Sequence, residues 1–180
     1  MRKFGVAKKS KRMAHYIDIR YGHPLGPIQG VGYVNELLAR LTKTPVRDGT
    51  QTNRTLDGSR ETFPLSRTIY ADFSHDNTMA AVYSAIGLFK QPQDLDPVHP
   101  DPGRTWVTSK LVPFAARMVT EKIECALEPG KEFVRIMVND ALQPLEFCGG
   151  KGGLCELSAF VESQGYARTD GNGGFGKCYE

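Results

Sequence analysis

Two adjacent side chains, His75 and Asp76, are the residues of this 180-residue sequence best suited to chemistry. An acid beside a cationic donor suits a reaction at a phosphate ester. The residues before the pair are β-branched or aromatic and predict a buried strand: Thr68, Ile69, Tyr70 and Phe73. Residues 78–89 predict a helix packed on the sheet, with Asn77 or Thr78 as N-cap. Because a strand that runs into a helix N-terminus presents free N–H groups, we expect an anion such as phosphate there.

The pair by itself also has a simpler interpretation. An aspartate at this point can cap a helix, and the histidine beside it can be an ordinary surface residue. The strand–helix context favours a binding site, because ligands collect where an α/β sheet meets its helices. On the residues alone, both interpretations stay open.

Several other elements are needed to position such a pair. Apolar residues at helical spacing predict an amphipathic helix over residues 30–42, with an inner face of Val31, Val34, Leu37, Leu38 and Leu41. Residues 44–66 are polar and contain prolines and glycines, so they predict a surface connection. Four prolines in residues 91–103 exclude a helix or central strand and predict a loop. The only tryptophan, Trp106, is expected to anchor that loop to the core.

Residues 71–77, Ala-Asp-Phe-Ser-His-Asp-Asn, resemble the His-Asp motif of the histidine acid phosphatases, in the form found in fungal phytases and related acid phosphatases. The resemblance extends over residues 26–42, 51–57, 138–148 and the last thirty or so residues. It covers roughly residues 22–180 and matches the C-terminal part of the family. It implies an α/β fold, part of the large α/β domain of a phosphoglycerate-mutase-like fold, with a β-hairpin and flanking helices. We therefore divide the chain into a basic leader, residues 1–20, and a family part, residues 21–180.

The resemblance also helps with the C-terminal half. Residues 112–125 are ambiguous between helix and strand, whereas residues 133–138 predict a strand. The family precedent is a β-hairpin across the Pro-Gly turn at residues 129–130, and we adopt it. Residues 154–167 predict a helix with Leu157, Phe160 and Val161 on one face.

The resemblance implies a two-step hydrolysis of phosphate monoesters through a phosphohistidine. Carried onto this chain, Asp76 is the proton donor, His75 binds phosphate and Asn77 orients the substrate. The family nucleophile lies in an Arg-His-Gly-x-Arg-x-Pro motif, and none of the four histidines (His15, His23, His75 and His99) is in such a motif. The expected function is that of a phytase or acid phosphatase, with this chain supplying the proton donor but not the nucleophile. The alternative is a truncated, inactive relative that serves as a non-catalytic fold or anion-binding domain.

The four cysteines fall into two kinds. Cys148 and Cys155 enclose a glycine-rich loop, and we expect them to form a disulfide rather than a zinc site, which would need two further ligands. Cys125 and Cys178 can pair with each other. The resemblance instead implies that each bridges to the N-terminal part of the family. Cysteine usage and the sequon at Asn53 favour an oxidising compartment. The resemblance implies a secreted protein, although no signal peptide is evident.

Composition limits the remaining function classes. The net charge of +3 is too small to argue for nucleic acid, and a basic cluster within residues 8–12 is the only feature that favours a nucleic-acid tail or nuclear signal. No run of eighteen apolar residues predicts a membrane span. We expect no metal and no cofactor. The expected partner is a phosphate monoester, phytate or a simpler ester, and the sequence does not decide the oligomeric state.

Overall fold

The computed structural model describes residues 25–50, 54–96, 99 and 101–179. The predictions for the leader, for Asn53 and for the side chain of Cys178 lie outside the described residues and stay predictions. Within the described ranges, no helix combines the length and hydropathy needed to cross a bilayer.

The first helix confirms the predicted amphipathic element. A 3-10 turn (Pro27–Gly30) leads directly into α1 (Val31–Thr42), whose apolar face is buried. Gly30 lies where the turn meets the next helix, α2 (Asp76–Ile86). A Cβ at Gly30 would stand 2.4 Å from the carbonyl oxygen of Ala81, so only glycine permits this approach.

Helix α2 begins earlier than the sequence predicted. His75, with an extended backbone (φ −116°, ψ 162°), occupies the N-cap position in place of Asn77 or Thr78. Its carbonyl oxygen accepts a hydrogen bond from the Met79 N–H at 3.0 Å. The carboxylate of Asp76 accepts the Asn77 N–H at 2.9 Å, which stabilises the first turn and so allows the earlier start. The helix ends at Ile86 rather than at Phe89, and its C-cap is Gly87, whose φ of +100° suits a glycine there.

The loop that follows α2 is tied to the core as predicted. Trp106 is 2% exposed and meets the ring of Phe89 edge to face, with centroids 6.2 Å apart. Its backbone N–H donates to Gln91 Oε1 at 2.9 Å. A short helix, α3 (Thr108–Leu111), then leads towards the sheet.

The predicted β-hairpin is confirmed. Strands β1 (Met118–Glu124) and β2 (Glu132–Val138) pair antiparallel along their full length, and Gly130 at the turn has φ +83°. Two short strands, β3 (Ala141–Leu142) and β4 (Cys155–Glu156), pair antiparallel with β2 at opposite ends of it. The inner face of β2 carries Val134, Ile136 and Val138 into the core.

The single helix predicted over residues 154–167 is wrong in detail. The chain first forms β4, then α4 (Leu157–Ser163) and α5 (Gly165–Arg168), with a break at Gln164. Gln164 is buried, and its side-chain amide donates to the carbonyl of Ile86 at 3.2 Å. Leu157 and Phe160 are buried as predicted, whereas Val161 is half-buried. Strand pairing and this tertiary hydrogen bond override the local helix propensity.

The strand predicted over residues 68–73 is also wrong. Residues 67–75, named the lead-in segment from here on, follow an irregular course without strand pairing. Among the described residues, no backbone hydrogen bond joins residues 68–74 to another strand. The predicted core residues Ile69 and Phe73 are 84% and 98% exposed. The sequence pattern is that of a strand, but within the described ranges no strand lies beside it to complete a ladder.

Candidate functional site

The predicted site residues are brought together at the exposed start of α2. His75 caps the helix, and Asp76 and Asn77 form its first turn. All three side chains lie on the surface. Neither His75 nor Asp76 enters an ion pair with any described residue, so an imidazole and a carboxylate are presented side by side to solvent.

The helix itself contributes to the electrostatics of this point. The first turn of an 11-residue helix carries a partial positive charge, although the N–H of Asn77 already donates to Asp76. Such an end favours an anionic group, and a protonated imidazole at the N-cap would add to that preference. The arrangement can bind an oxyanion and offer it a neighbouring carboxyl group as a proton donor.

The lead-in segment is held to α1 by charged side chains that sequence reasoning did not single out. The guanidinium of Arg40 forms a two-pronged ion pair with Asp72, Nη1–Oδ2 at 2.5 Å and Nη2–Oδ1 at 3.2 Å. Lys43 Nζ donates to the carbonyl of Arg67 at 2.9 Å. A cavity of about 210 Å³ lies here, lined by Arg40, Tyr70 and Asp72 among others. The sequence of α1 does not indicate that Arg40 will bind Asp72, because the two residues are 32 positions apart in the chain.

A second cavity, of about 310 Å³, lies beside the glycine-rich loop and is lined by Leu142, Gln143, Pro144, Glu146 and three glycines of that loop. None of the predicted catalytic residues lines it. We place the candidate site at the start of α2, because the side chains suited to phosphate chemistry are there.

The remaining predicted residues lie elsewhere. Cys148 and Cys155 form the expected disulfide, with Cα atoms 6.3 Å apart, and it ties the turn after β3 to β4. Cys125, directly after β1, is half-buried and forms no disulfide with a described side chain, so its pairing stays a prediction. His99 lies in the exposed loop beside Asp96, with Nδ1 3.5 Å from its carboxylate. Among the described residues, no three His, Cys, Asp or Glu side chains form a group that could hold a metal ion.

A comparison with known protein families decides where the chain belongs. The sequence model of the Histidine phosphatase superfamily (branch 2) matches residues 6–139. The chain belongs to this family. The match covers α1, the lead-in segment, α2 and the hairpin, and it contains His75 and Asp76. It begins within residues 1–20, so the boundary at residue 20 stays a prediction.

Two curated proteins are similar to this chain over most of its length. Phytase A of Aspergillus oryzae is 43% identical over 171 residues, covering 93% of this chain, and Phytase A of Emericella nidulans is 44% identical over 164 residues, covering 89%. The chain spans only about a third of the length of these relatives, 36% and 35%. The resemblance to phytase-type histidine phosphatases is therefore confirmed, for part of their length.

The fold agrees with a solved structure. The crystal structure of the phytase from D. castellii superimposes with a TM-score of 0.65 at 21% sequence identity. The match covers 88% of this chain and 30% of that one. At this identity the likeness speaks for the fold alone, and it confirms the expected phytase-type α/β architecture with its hairpin and flanking helices.

Proposed function

We propose that this chain forms the acid-supplying part of a phosphoric monoester hydrolase of the phytase or acid phosphatase type. The observation that carries the proposal is the pair His75 and Asp76, exposed together at the N-terminus of α2 in a histidine phosphatase chain. In this mechanism a histidine attacks phosphorus and forms a phosphohistidine, which water then hydrolyses. Asp76 protonates the leaving alcohol, His75 binds the phosphoryl oxygens and Asn77 orients the substrate.

The nucleophile would come from outside these 180 residues. No histidine of the sequence stands in an Arg-His-Gly motif; the nearest string, residues 20–24, reads Arg-Tyr-Gly-His-Pro. We therefore propose that another part of a phytase-type fold supplies it. The exposure of Ile69 and Phe73 supports this, because large apolar side chains in an extended segment are normally covered by further protein.

Transplantation tests the proposal. We would replace the matching third of Aspergillus oryzae Phytase A by residues 22–180 and assay an alkyl phosphate and p-nitrophenyl phosphate. We expect turnover of both. Asp76→Asn should lower kcat on the alkyl phosphate by about 10²-fold or more. The loss should be smaller for p-nitrophenyl phosphate, whose leaving group needs little protonation.

The matched control is Asp140→Asn, because Asp140 is an exposed carboxylate in the turn between β2 and β3 and should leave kcat unchanged. Near-normal turnover of the alkyl phosphate by the Asp76→Asn chimera would contradict the role of Asp76. The 180-residue chain alone should be inactive, and turnover that disappeared on His15→Ala or His23→Ala would contradict the external nucleophile.

The same absence of an Arg-His-Gly motif favours a second candidate, a non-catalytic domain with anion affinity. The chimera distinguishes the two candidate functions, because the second predicts a folded protein without turnover even with Asp76 intact. We also propose an oxidising, extracellular setting, which the Cys148–Cys155 disulfide supports.

A further inference from the structure

The lead-in segment delivers His75 and Asp76 to the start of α2, yet no strand pairing among the described residues holds it in place. Within the described ranges, the contacts that hold it are made by side chains of α1 and of the residue after it. The strongest of these contacts is the ion pair between Arg40 and Asp72, three residues before His75. Lys43 provides a second contact at the other end of the segment, through the carbonyl of Arg67.

The side chain of Arg40 is more buried and makes more contacts than that of a typical surface arginine. Its side chain is 12% exposed, and the guanidinium lies 4.9 Å from the ring centroid of Phe63 and 5.1 Å from that of Tyr70. Glu36, one turn earlier on α1, lies 3.5 Å from Nη2. The planar guanidinium contacts both rings, which restrains its direction and with it the carboxylate that binds its two nitrogens.

The electrostatics agree with this geometry. Burial opposes the charge of Arg40, but the hydrogen bond and charge of Asp72 and the charge of Glu36 outweigh it, so the pKa of Arg40 is raised. The pKa of Tyr33 is raised chiefly by burial and next by the negative charge of Asp72, which places Tyr33 in the same cluster.

We infer that Arg40 is a positioning residue for the His75–Asp76 pair. Arg40 on α1 holds Asp72 through two hydrogen bonds. Only Phe73 and Ser74 then separate the held residue from the N-cap of α2, His75. Three Cα–Cα steps join Asp72 to His75 and span at most about 11 Å, so fixing Asp72 limits how far His75 can move from the helix end. The inference rests on the proposed function, in which His75 binds phosphate and Arg40 keeps His75 in place.

The chain contains a matched control. Arg117 and Asp140 also form a two-pronged ion pair, but both side chains are more than half exposed and the pair lies where the hairpin meets the β2–β3 turn. Arg117→Gln removes the same kind of contact without touching the lead-in segment.

The test uses the full 180-residue chain and inorganic phosphate as the probe. We would compare wild type, Arg40→Gln, Arg40→Lys, Asp72→Asn and Arg117→Gln by NMR, after thermal unfolding has established that each is folded. The first readout is the backbone order parameter of residues 70–75. It should fall from about 0.85 to below about 0.6 in Arg40→Gln and Asp72→Asn, and less in Arg40→Lys, which keeps the charge but not the fork.

The second readout is phosphate affinity followed at the His75 imidazole. We expect Arg40→Gln and Asp72→Asn to weaken it about fivefold, and Arg117→Gln to change neither readout. Asp72→Asn is decisive, because removing a negative charge near the site should strengthen phosphate binding if Arg40 acted only through net charge. Tighter binding in Asp72→Asn, or unchanged order parameters in Arg40→Gln, would overturn the inference.

The two hypotheses fail separately. If His75 of the wild type does not respond to phosphate while the order parameters change as expected, the positioning role stands and phosphate binding by His75 is contradicted. If His75 responds equally in wild type and Arg40→Gln, the positioning role is contradicted and the proposed function stands. Should Arg40→Gln fail to fold, Asp72→Asn and Arg40→Lys carry the same comparison.

Discussion

The β1–β2 hairpin and the lead-in segment have similar local sequences and different structures. Both contain β-branched and aromatic residues that favour an extended backbone. In the hairpin every residue of β1 faces a partner on β2, and Ile136 of β2 is fully buried. In the lead-in segment the backbone has no strand partner among the described residues, and Ile69 is 84% exposed.

The difference shows what β propensity measures. A β-branched residue does not make a strand by itself; it fits a pleated surface that a neighbour completes. The hairpin carries its neighbour in its own sequence, across a turn in which Gly130 takes a positive φ. Among the described residues the lead-in segment has no such neighbour, and Ile69 and Phe73 stay exposed.

Hydrogen exchange should show the largest contrast. The ladder amides of β2 open only when the domain unfolds, so we expect them to exchange about 10³-fold or more slowly than free peptide. The amides of residues 69–73 should exchange nearly as fast as free peptide, because no backbone acceptor in the described part of the chain holds them. Strong protection of residues 69–73 would mean that the segment is paired in solution and would contradict its contrast with the hairpin.

Two isoleucines provide the next test. Ile136→Ala should lower the free energy of unfolding by about 2–4 kcal/mol, because it leaves a cavity in the core. Ile69→Ala should change it by less than about 0.5 kcal/mol, because the side chain is already in water. Urea unfolding of the two variants measures both values, and equal costs would show that the lead-in segment is packed after all.

A substitution at the turn of the hairpin should lower the free energy of unfolding by a smaller amount. Gly130 has φ +83°, and a Cβ added there would meet no atom within 4 Å, so strain alone opposes Gly130→Ala. We expect a loss of about 1 kcal/mol, from the left-handed backbone. Gly176→Ala is a suitable control, since it also has open space but no positive φ. Thermal unfolding should separate the two, and an equal loss would show that backbone strain is not the cause.

The smallest effect should come from Arg117→Gln. Its ion pair with Asp140 is exposed, so water screens the attraction and we expect a cost of at most about 0.5 kcal/mol. High salt should remove most of this cost. A loss above about 1 kcal/mol in urea unfolding would mean that the hairpin depends on this pair and not on its ladder.

The sequence was a good guide wherever contacts are local. The amphipathic α1 and the Cys148–Cys155 loop depend on short-range patterns, and both are present. The pair His75 and Asp76 was found for the same reason, because adjacency in the chain guarantees proximity in space. The hairpin was predicted with the help of the family resemblance, because residues 112–125 are ambiguous by themselves. The break at Gln164 was not predictable, since it depends on a hydrogen bond to Ile86, 78 residues away in the chain.

The sequence by itself therefore determined the family, the chemical character of the site and the elements with internal partners. Tertiary structure alone decided that the lead-in segment stays unpaired within the described ranges and that Arg40 meets Asp72 across 32 residues. The physical reason is the range of the interactions. Helix periodicity and turn chemistry act within a few residues, whereas burial, strand pairing and ion pairs depend on which distant segments the folded chain brings into contact.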